Sequence, residues 1–471
     1  MIFRDSRLKS EAVNRLLEIV SSDRLITETE RLLDYSHDES PHPPCVPVAV
    51  VKPVSVEEVV RIVQFAREER LPLTPRGLGT GLAGGSVPVH GGLVISLELM
   101  NRILEIDNVN LMVRTEPGVV TARLQEACAA YGLYYPVDPA SLDDCSIGGN
   151  VVTNAGGARA FKYGVTGDYV TGVQAVLADG SVINYGGKLR KNATGYDLNR
   201  LLVGSEGTLG VVTEITFRLV PKPAHQVDLL IPCRSMTQAV ELVIRLVQER
   251  RLMPAVVEFF EKKGTDASIR VLGENLPFPD AAVQVLIELE GNDREAVAED
   301  ALKLGEMAMA LGTDEPLVAE DASSQARLWK TRRSLAKTLK QLYPEVIAED
   351  IVVPVSRLAE TVEFIRQLES RFGLMIVPFG HIGDGNIHTD FCRNESDRAG
   401  WQERVNRAVD ELIDFVVRAG GQITAEHGIG ALKKRLMKKG LGEAELRLMR
   451  HLKQTLDPDN ILNPGKVLPD D

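Results

Sequence analysis

The stretch PRGLGTGLAGGS, residues 75–86, contains Gly79-x-Gly81-x-x-Gly84, the spacing of a dinucleotide fingerprint. Such a fingerprint works only when a helix follows at once and turns its N-terminus toward the phosphates. Here the chain continues SVPVHGGLVISL, and Pro88, Gly91 and Gly92 exclude that helix. What remains is a loop of closely spaced backbone N–H groups able to wrap a diphosphate without a helix dipole, with Arg76 adding positive charge. A flexible surface turn is the rival reading. Five glycines within residues 77–85 would cost such a turn much backbone entropy for no return.

Two further segments repeat the theme. PASLDDCSIGGNVVTNAGGARAFKYG (139–164) has two Gly-Gly pairs between short apolar stretches, and GSEGTLGVVTEI (204–215) resembles both. Three separated cradles imply an extended ligand. Around them, apolar positions Val13, Leu16, Leu17 and Val20 mark one helix face. PVAVV (47–51) reads as a strand, Ser55 with Glu58 as a capping box opening a helix, and LPLTP as a returning strand, which makes a β-α-β unit. LVISL (93–97) and LMVRTEPGV (111–119) read as strands and 121–131 as a helix.

At PKPA (221–224) glycines thin out and longer elements begin, so a domain boundary is expected there. Helices are expected near 237–250, 296–311, 323–342 and 356–371, with strands AVVEFF and VQVLIELE between them. In the second strand Val283, Val285, Ile287 and Leu289 alternate with Gln284, Leu286, Glu288 and Glu290, which predicts one buried face and one mostly wet. An antiparallel sheet covered by helices fits this pattern.

Composition narrows the function. The 471 residues hold 54 Lys plus Arg against 66 Asp plus Glu, a formal charge of −12 that argues against a nucleic-acid partner. The length suits about three structural units, and 44% hydrophobic residues can give each a core. No apolar run approaches the ~18–20 residues of a membrane span, and MIFRDSRLKS carries charge where a signal peptide needs an apolar stretch. A cytoplasmic location is expected. The five cysteines (Cys45, Cys128, Cys145, Cys233, Cys392) are scattered, with no C-x-x-C pair to hold zinc or an iron–sulfur cluster, so redox chemistry would need a bound organic cofactor.

VPFGHIGDGNIHTDF (377–391) is the most informative stretch for chemistry. With GDGN (383–386) as the loop of a hairpin, Ile382 faces Ile387 and His381 faces His388. Directly opposed residues have Cβ atoms ~4.5–5.5 Å apart, which suits two imidazoles sharing a metal. The rival is two unrelated histidines, disfavoured because only eight occur in the chain and these two flank one turn. QITAEHGIG (422–430), read as a strand ending in Glu426 and His427, offers a third ligand. RLWKTRRSLAK (327–337) lies on an expected helix and is either a carboxylate-binding group or a solvated basic face.

At its glycine segments the sequence resembles the FAD-binding half of the vanillyl-alcohol oxidase and PCMH-type flavoproteins. Within them it is most similar to the group of glycolate oxidase D subunits, D-lactate dehydrogenases and D-2-hydroxyglutarate dehydrogenases. The likeness covers nearly the whole chain, including DPDNILNPGKVLP (457–469). It implies an α+β fold: a PCMH-type two-part FAD-binding domain over 1–222, an antiparallel-sheet substrate (cap) domain over 223–420, and a C-terminal helical segment, 421–471, that returns to the flavin. Arg76, Gly77, Gly79, Thr80, Gly81, Gly84 and Gly85 then resemble the pyrophosphate loop. Pro139, Ser141, Ser146, Gly148, Gly149, Asn154, Gly156, Gly157 and Gly164 resemble the segment running along the rest of the FAD. Glu206, Gly210 and Val211 would lie near its adenine and ribose end, and Asn463 would return to the flavin ring.

Covalently flavinylated relatives carry a His in the first loop where Thr80 and Gly81 stand, so non-covalent FAD is expected; Cys145 reads as a small residue lining the cofactor. The resemblance also implies that His381, His388 and Glu426 bind a divalent metal, that His427 acts as base, and that Arg332, or alternatively Arg333, holds the substrate carboxylate. Two His and one carboxylate leave coordination positions open, as a catalytic metal requires, and fit Zn, Mn or Fe(II) alike. The expected reaction is oxidation of a 2-hydroxy acid, with electrons leaving to an iron–sulfur or electron-transferring flavoprotein subunit through which the chain could meet a membrane. Val355, where some relatives carry a basic residue, and Asp390, where one subgroup has Asn, speak against 2-hydroxyglutarate and for lactate or glycolate.

Overall fold

Short apolar runs in the first hundred residues pair into a four-stranded sheet. Strands β1 (Leu25–Ile26), β2 (Ala49–Val51), β3 (Leu73–Arg76) and β4 (Leu93–Ser96) lie in the order β1-β2-β4-β3, with β4 parallel to both its neighbours. The expected β-α-β crossover is present, with β4 inserted between its two strands. Its helix α1 (Val56–Glu68) starts where Ser55 Oγ accepts from Glu58 N at 3.3 Å. The Glu58 carboxylate turns instead to Val54 N, at 2.8 Å, and to Arg24, so the box closes on one side only. Val59, Ile62, Val63 and Ala66 on one face of α1 pack on Val51, Leu73, Leu93 and Ile95.

The computed structural model describes residues 8–273, 277–397 and 400–470; the start of the charged N-terminal stretch, residues 1–7, lies outside them. The chain divides into two units, one of residues up to Gly156, Val165–Lys222 and Glu426–Asp471, the other of Gly157–Gly164 and Pro223–Ala425. The first unit holds a second sheet, wholly antiparallel, of β5 (Ile103–Asp107), β6 (Met112–Thr115), β7 (Val170–Val176), β8 (Val182–Gly186) and β9 (Val211–Arg218), in the order β5-β6-β9-β7-β8. The end of the chain closes onto β3: Leu73 N donates to Ile461 O at 2.7 Å and Asn463 N to Leu73 O at 2.8 Å.

The second unit is built on one antiparallel sheet of seven strands. These are β10 (His225–Cys233), β11 (Val256–Glu261), β12 (Val283–Gly291), β13 (Leu317–Ala319), β14 (Glu345–Val352), β15 (Met375–His381) and β16 (Asn386–Arg393), in the order β13-β10-β12-β11-β15-β16-β14. Helices α2 (Lys262–Leu272) and α3 (Ala322–Leu342) cover the face that carries Leu230, Val256, Phe260, Leu286 and Phe379. Helices over Met236–Arg250, Arg294–Ala310, Leu358–Phe372 and Trp401–Arg418 also pack on this sheet.

The half-wet face expected of β12 is not found. Gln284 and Glu288 are buried: the Gln284 amide donates to Pro277 O and Phe278 O, while Arg159 pairs with Glu288 and Glu290. Arg159 comes from the short segment 157–164, which covers polar positions that a two-layer sheet would leave in water. Among the described residues no helix is long and apolar enough to cross a membrane.

Candidate active site

The hairpin at 375–393 forms, with a register two residues away from the expected one. Phe379 lies opposite His388, Gly380 opposite Ile387 and His381 opposite Asn386, so the loop is 382–385 and His381 does not face His388 directly. Gly385 is the cause. It adopts φ +81°, its N–H donates to His381 O at 3.1 Å, and a Cβ there would stand 1.9 Å from Val353 O. A left-handed glycine closes the turn before Asn386, whose amide then donates to Asp350 Oδ1 (2.7 Å) and Ile351 O (2.8 Å) of the next strand. An offset of two preserves side-chain parity, so both histidines still point to one face. As diagonal neighbours they bring their Nε2 atoms to 3.4 Å, with rings edge to face at 81°.

Two buried carboxylates flank the pair. Glu258 on β11 lies opposite His381, and Asp350 on β14 lies opposite His388. The Glu258 carboxylate contacts His381 Nδ1 and pairs with Arg332 Nε at 2.5 Å. Burial alone would raise Glu258, but Arg332, His381 and His388 outweigh it and hold the carboxyl below its usual range. Asp350 Oδ1 is 3.8 Å from His388 Nδ1, and Asp350 Oδ2 accepts from Thr424 Oγ1 at 2.8 Å and Ala425 N at 2.9 Å. Neither carboxylate stands out in the sequence. The only sign is an acid inside the apolar strands VVEFFE and AEDIVVP, and only strand pairing aligns each with its histidine.

The two adjacent arginines of α3 diverge. Arg332 lies over the Phe379 ring (5.1 Å) beside Glu258, whereas Arg333 lies over Trp329 (4.8 Å). Asp390 is buried on the His388 side of β16, and burial pushes it up to about 7 against the pull of Lys340 and Arg332.

QITAEHGIG is not a strand. Gln422 bridges Val352 and the rest is irregular, held by the Asp350 bonds to Thr424 and Ala425. Glu426 and His427 follow Ala425 directly and open the last stretch of the first unit. There the Glu206 carboxylate accepts from Ile429 N and Gly430 N, both at 2.7 Å. Glu426 Oε2 lies 2.8 Å from where a Cβ on Gly156 would stand.

The structure knits the three glycine segments of the first unit together. A Cβ on Gly77 would lie 2.1 Å from Ser146 Oγ, and one on Gly148 2.5 Å from Pro117. Ser146 Oγ caps the helix Ile147–Thr153 by accepting from Gly149 N at 3.3 Å, and Asn154 ends it at φ +54°. Glu206 N donates to Val152 O at 2.7 Å, joining the third segment to the second. Asn463 Nδ2 clasps the first and third through Gly85 O (2.9 Å) and Glu206 O (2.8 Å).

No helix follows the first loop, as its prolines and glycines predict, and Gly79 and Gly84 take φ +77° and +76°. Arg76 braces this loop: it donates to His37 O (2.7 Å) and Ser86 Oγ (3.2 Å) and lies over Tyr35. Thr80 and Gly81 are half-buried in the loop; Pro139 and Ser141 shape the turn before Cys145, whose Sγ lies 3.2 Å from Thr121 Oγ1. Gly210 precedes β9, where Val211 is buried opposite Val176, and Gly157 and Gly164 bound the segment that belongs to the second unit. Close-set backbone held open by glycine is what a diphosphate-bearing ligand needs, and these segments fit an FAD.

Comparison with known proteins agrees. Residues 47–186 match the family model of the FAD binding domain, and residues 222–467 that of the FAD linked oxidases, C-terminal domain. The chain is 37% identical to glycolate oxidase subunit GlcD of Bacillus subtilis, over 98% of each chain. It is 38% identical to a D-lactate dehydrogenase of Archaeoglobus fulgidus (92% of this chain, 95% of the relative) and 34% identical to a D-2-hydroxyglutarate dehydrogenase of Stutzerimonas stutzeri (97% and 98%). Among solved structures, p-cresol methylhydroxylase shares the fold with TM-score 0.80 at 19% identity, covering 98% of this chain and 97% of the other. The chain therefore belongs to the PCMH-type FAD-linked oxidoreductases, in the family of glycolate oxidase, D-lactate dehydrogenase and D-2-hydroxyglutarate dehydrogenase.

Proposed function

We propose that this chain oxidises a small 2-hydroxy monocarboxylate, D-lactate or glycolate, to the 2-oxo acid with the help of a divalent metal. The observation that carries the reading is the His381–His388 pair. A carboxylate only accepts hydrogen bonds, so Glu258 makes His381 Nδ1 the protonated nitrogen and leaves its Nε2 a lone pair. Asp350, at 3.8 Å, favours the same tautomer of His388 electrostatically. Two lone pairs 3.4 Å apart repel unless a cation lies between them. Two nitrogens at ~2.05 Å from one tetrahedral ion are about 3.3 Å apart, so the spacing supports a shared metal.

When bound, FAD supplies a two-electron acceptor and a divalent ion supplies polarisation of the substrate hydroxyl. The chain's own groups do the rest. His381, His388 and Glu426 are the proposed ligands, for Zn, Mn or Fe(II). An imidazole nitrogen of His427, next in sequence to a ligand, takes the hydroxyl proton. Arg332, held by Glu258 and Phe379, binds the carboxylate. Asp390, buried on the same sheet face, offers no positive charge to hold a second carboxylate, which favours the monocarboxylate over 2-hydroxyglutarate. The FAD is non-covalent in this reading, and a separate redox protein takes the electrons because the scattered cysteines build no cluster. A panel of D- and L-2-hydroxy acids with an artificial dye acceptor, run beside metal analysis, tests the proposal. Failure of D-lactate and glycolate to reduce the flavin of metal-replete protein would refute it.

A further inference from the structure

Position 258 lies in an apolar neighbourhood. Val256 and Phe260 flank it on the same strand face and Leu286 stands opposite, all fully or nearly fully buried. A leucine would fit there, and a buried ion pair is seldom more stable than well-packed apolar side chains. Packing therefore does not account for the glutamate. Its two contacts do: one carboxylate oxygen meets His381 Nδ1 and the other pairs with Arg332 Nε at 2.5 Å.

We infer that Glu258 is a positioning residue that sets two functional groups at once, fixing the tautomer and ring of His381 toward a metal and the guanidinium of Arg332 toward a substrate carboxylate. The inference rests on the metal and substrate reading above. Asp350, although placed in the same way opposite His388, differs in kind. Its oxygens accept from the Asn386 and Thr424 side chains and from Ala425 N, and the His388 ring stands 3.8 Å away. Glu258 joins a histidine and an arginine through one side chain. Its two functions are separable because they use different oxygens and partners of different mobility, a ring on a strand and a guanidinium on a long side chain. Shortening the side chain by one methylene keeps an ion pair with Arg332, whose long side chain can follow the charge, and withdraws the carboxylate from the His381 ring, which the strand holds in place.

The test is Co²⁺ titration with chelator competition, together with steady-state kinetics, on the FAD-loaded protein and its Glu258→Gln and Glu258→Asp variants. Glu258→Gln should lose about 10- to 100-fold in Co²⁺ affinity, the usual effect of removing such a partner, and should also raise KM for the 2-hydroxy acid. Glu258→Asp should restore KM toward the unsubstituted value while Co²⁺ affinity stays low. A purely structural glutamate would move both together. Co²⁺ affinity of Glu258→Gln within threefold of the unsubstituted protein overturns the inference. If the unsubstituted protein takes up no Co²⁺, the metal reading fails by itself. The ¹⁵N shifts of His381 then decide the positioning role, without any variant: an Nδ1–H tautomer upholds it, and a mixture of tautomers overturns it.

Discussion

Asp350→Asn tests how the segment before Glu426 and His427 is held. Asp350 is fully buried and accepts from Asn386 Nδ2 (2.7 Å), Thr424 Oγ1 (2.8 Å) and Ala425 N (2.9 Å). Asparagine keeps the shape but has one acceptor oxygen. With that oxygen toward Asn386, its NH₂ faces Thr424 and Ala425. The Thr424 hydroxyl can rotate to accept, whereas the Ala425 N–H cannot. One charged hydrogen bond is lost, roughly 1.5–3 kcal/mol, while the freed N–H of the exposed Ala425 turns to water. At ~2–4 °C per kcal/mol for a unit of about 200 residues, the melting temperature should fall by roughly 3–12 °C. Release of Ala425 should also displace the residues that follow it, and a misplacement of ~1 Å costs on the order of 10² in rate. Differential scanning fluorimetry and stopped-flow flavin reduction measure the two effects. A melting temperature within 2 °C of the unsubstituted protein (~0.5 to 1 kcal/mol) with a reduction rate within threefold would show that Asp350 does not hold this segment.

Acid precipitation should leave all the flavin in the supernatant, since Thr80 and Gly81 offer no imidazole for a covalent link; yellow pellet would contradict this. His427→Ala should slow flavin reduction ~10²- to 10⁴-fold while metal content is unchanged, and a near-normal rate would point to another base. Reoxidation of substrate-reduced enzyme should be slow with NAD, because the one G-x-G-x-x-G match has no helix behind it; fast reoxidation by NAD alone would refute that. Asp228 is raised to about 7 by burial and by Glu288 directly opposite. A carboxyl raised in the folded state is neutral there while the unfolded chain ionises, so stability should fall as pH rises from about 4 to about 7. Asp228→Asn should flatten that fall, and an unchanged slope of melting temperature against pH would exclude Asp228 as its source.

Local signals in the sequence served well wherever chemistry is local. The capping serine at 55, the missing helix after Gly84 and the hairpin around 383 follow from residues within one turn of each other. The hairpin register came out wrong because it depends on Gly385 alone taking the left-handed conformation, and Gly383 is an equal candidate by residue type. Parity survived, so the histidine pair did as well. Glu258 and Asp350 stayed hidden for a different reason. Each meets its histidine only through pairing of strands far apart in the chain, at separations of 123 and 38 residues, beyond the reach of any local pattern. The buried acids of β12 escaped for the same cause: residues 157–164 cover them from more than 120 residues away.

The clasp at Asn463 has a consequence for how the protein is made. The three glycine segments have all been synthesised by about residue 210, but the side chain that ties the first to the third is 253 residues further on. At ~5–20 residues per second on the ribosome, the interval is roughly 10–50 s, during which residues Pro223–Ala425 of the second unit emerge. The chain also passes between its two units at 156, 164, 222 and 425, so neither is a continuous piece that could mature alone. The nascent cradle thus waits, glycine-rich and unfastened, until residue 463 has left the ribosome.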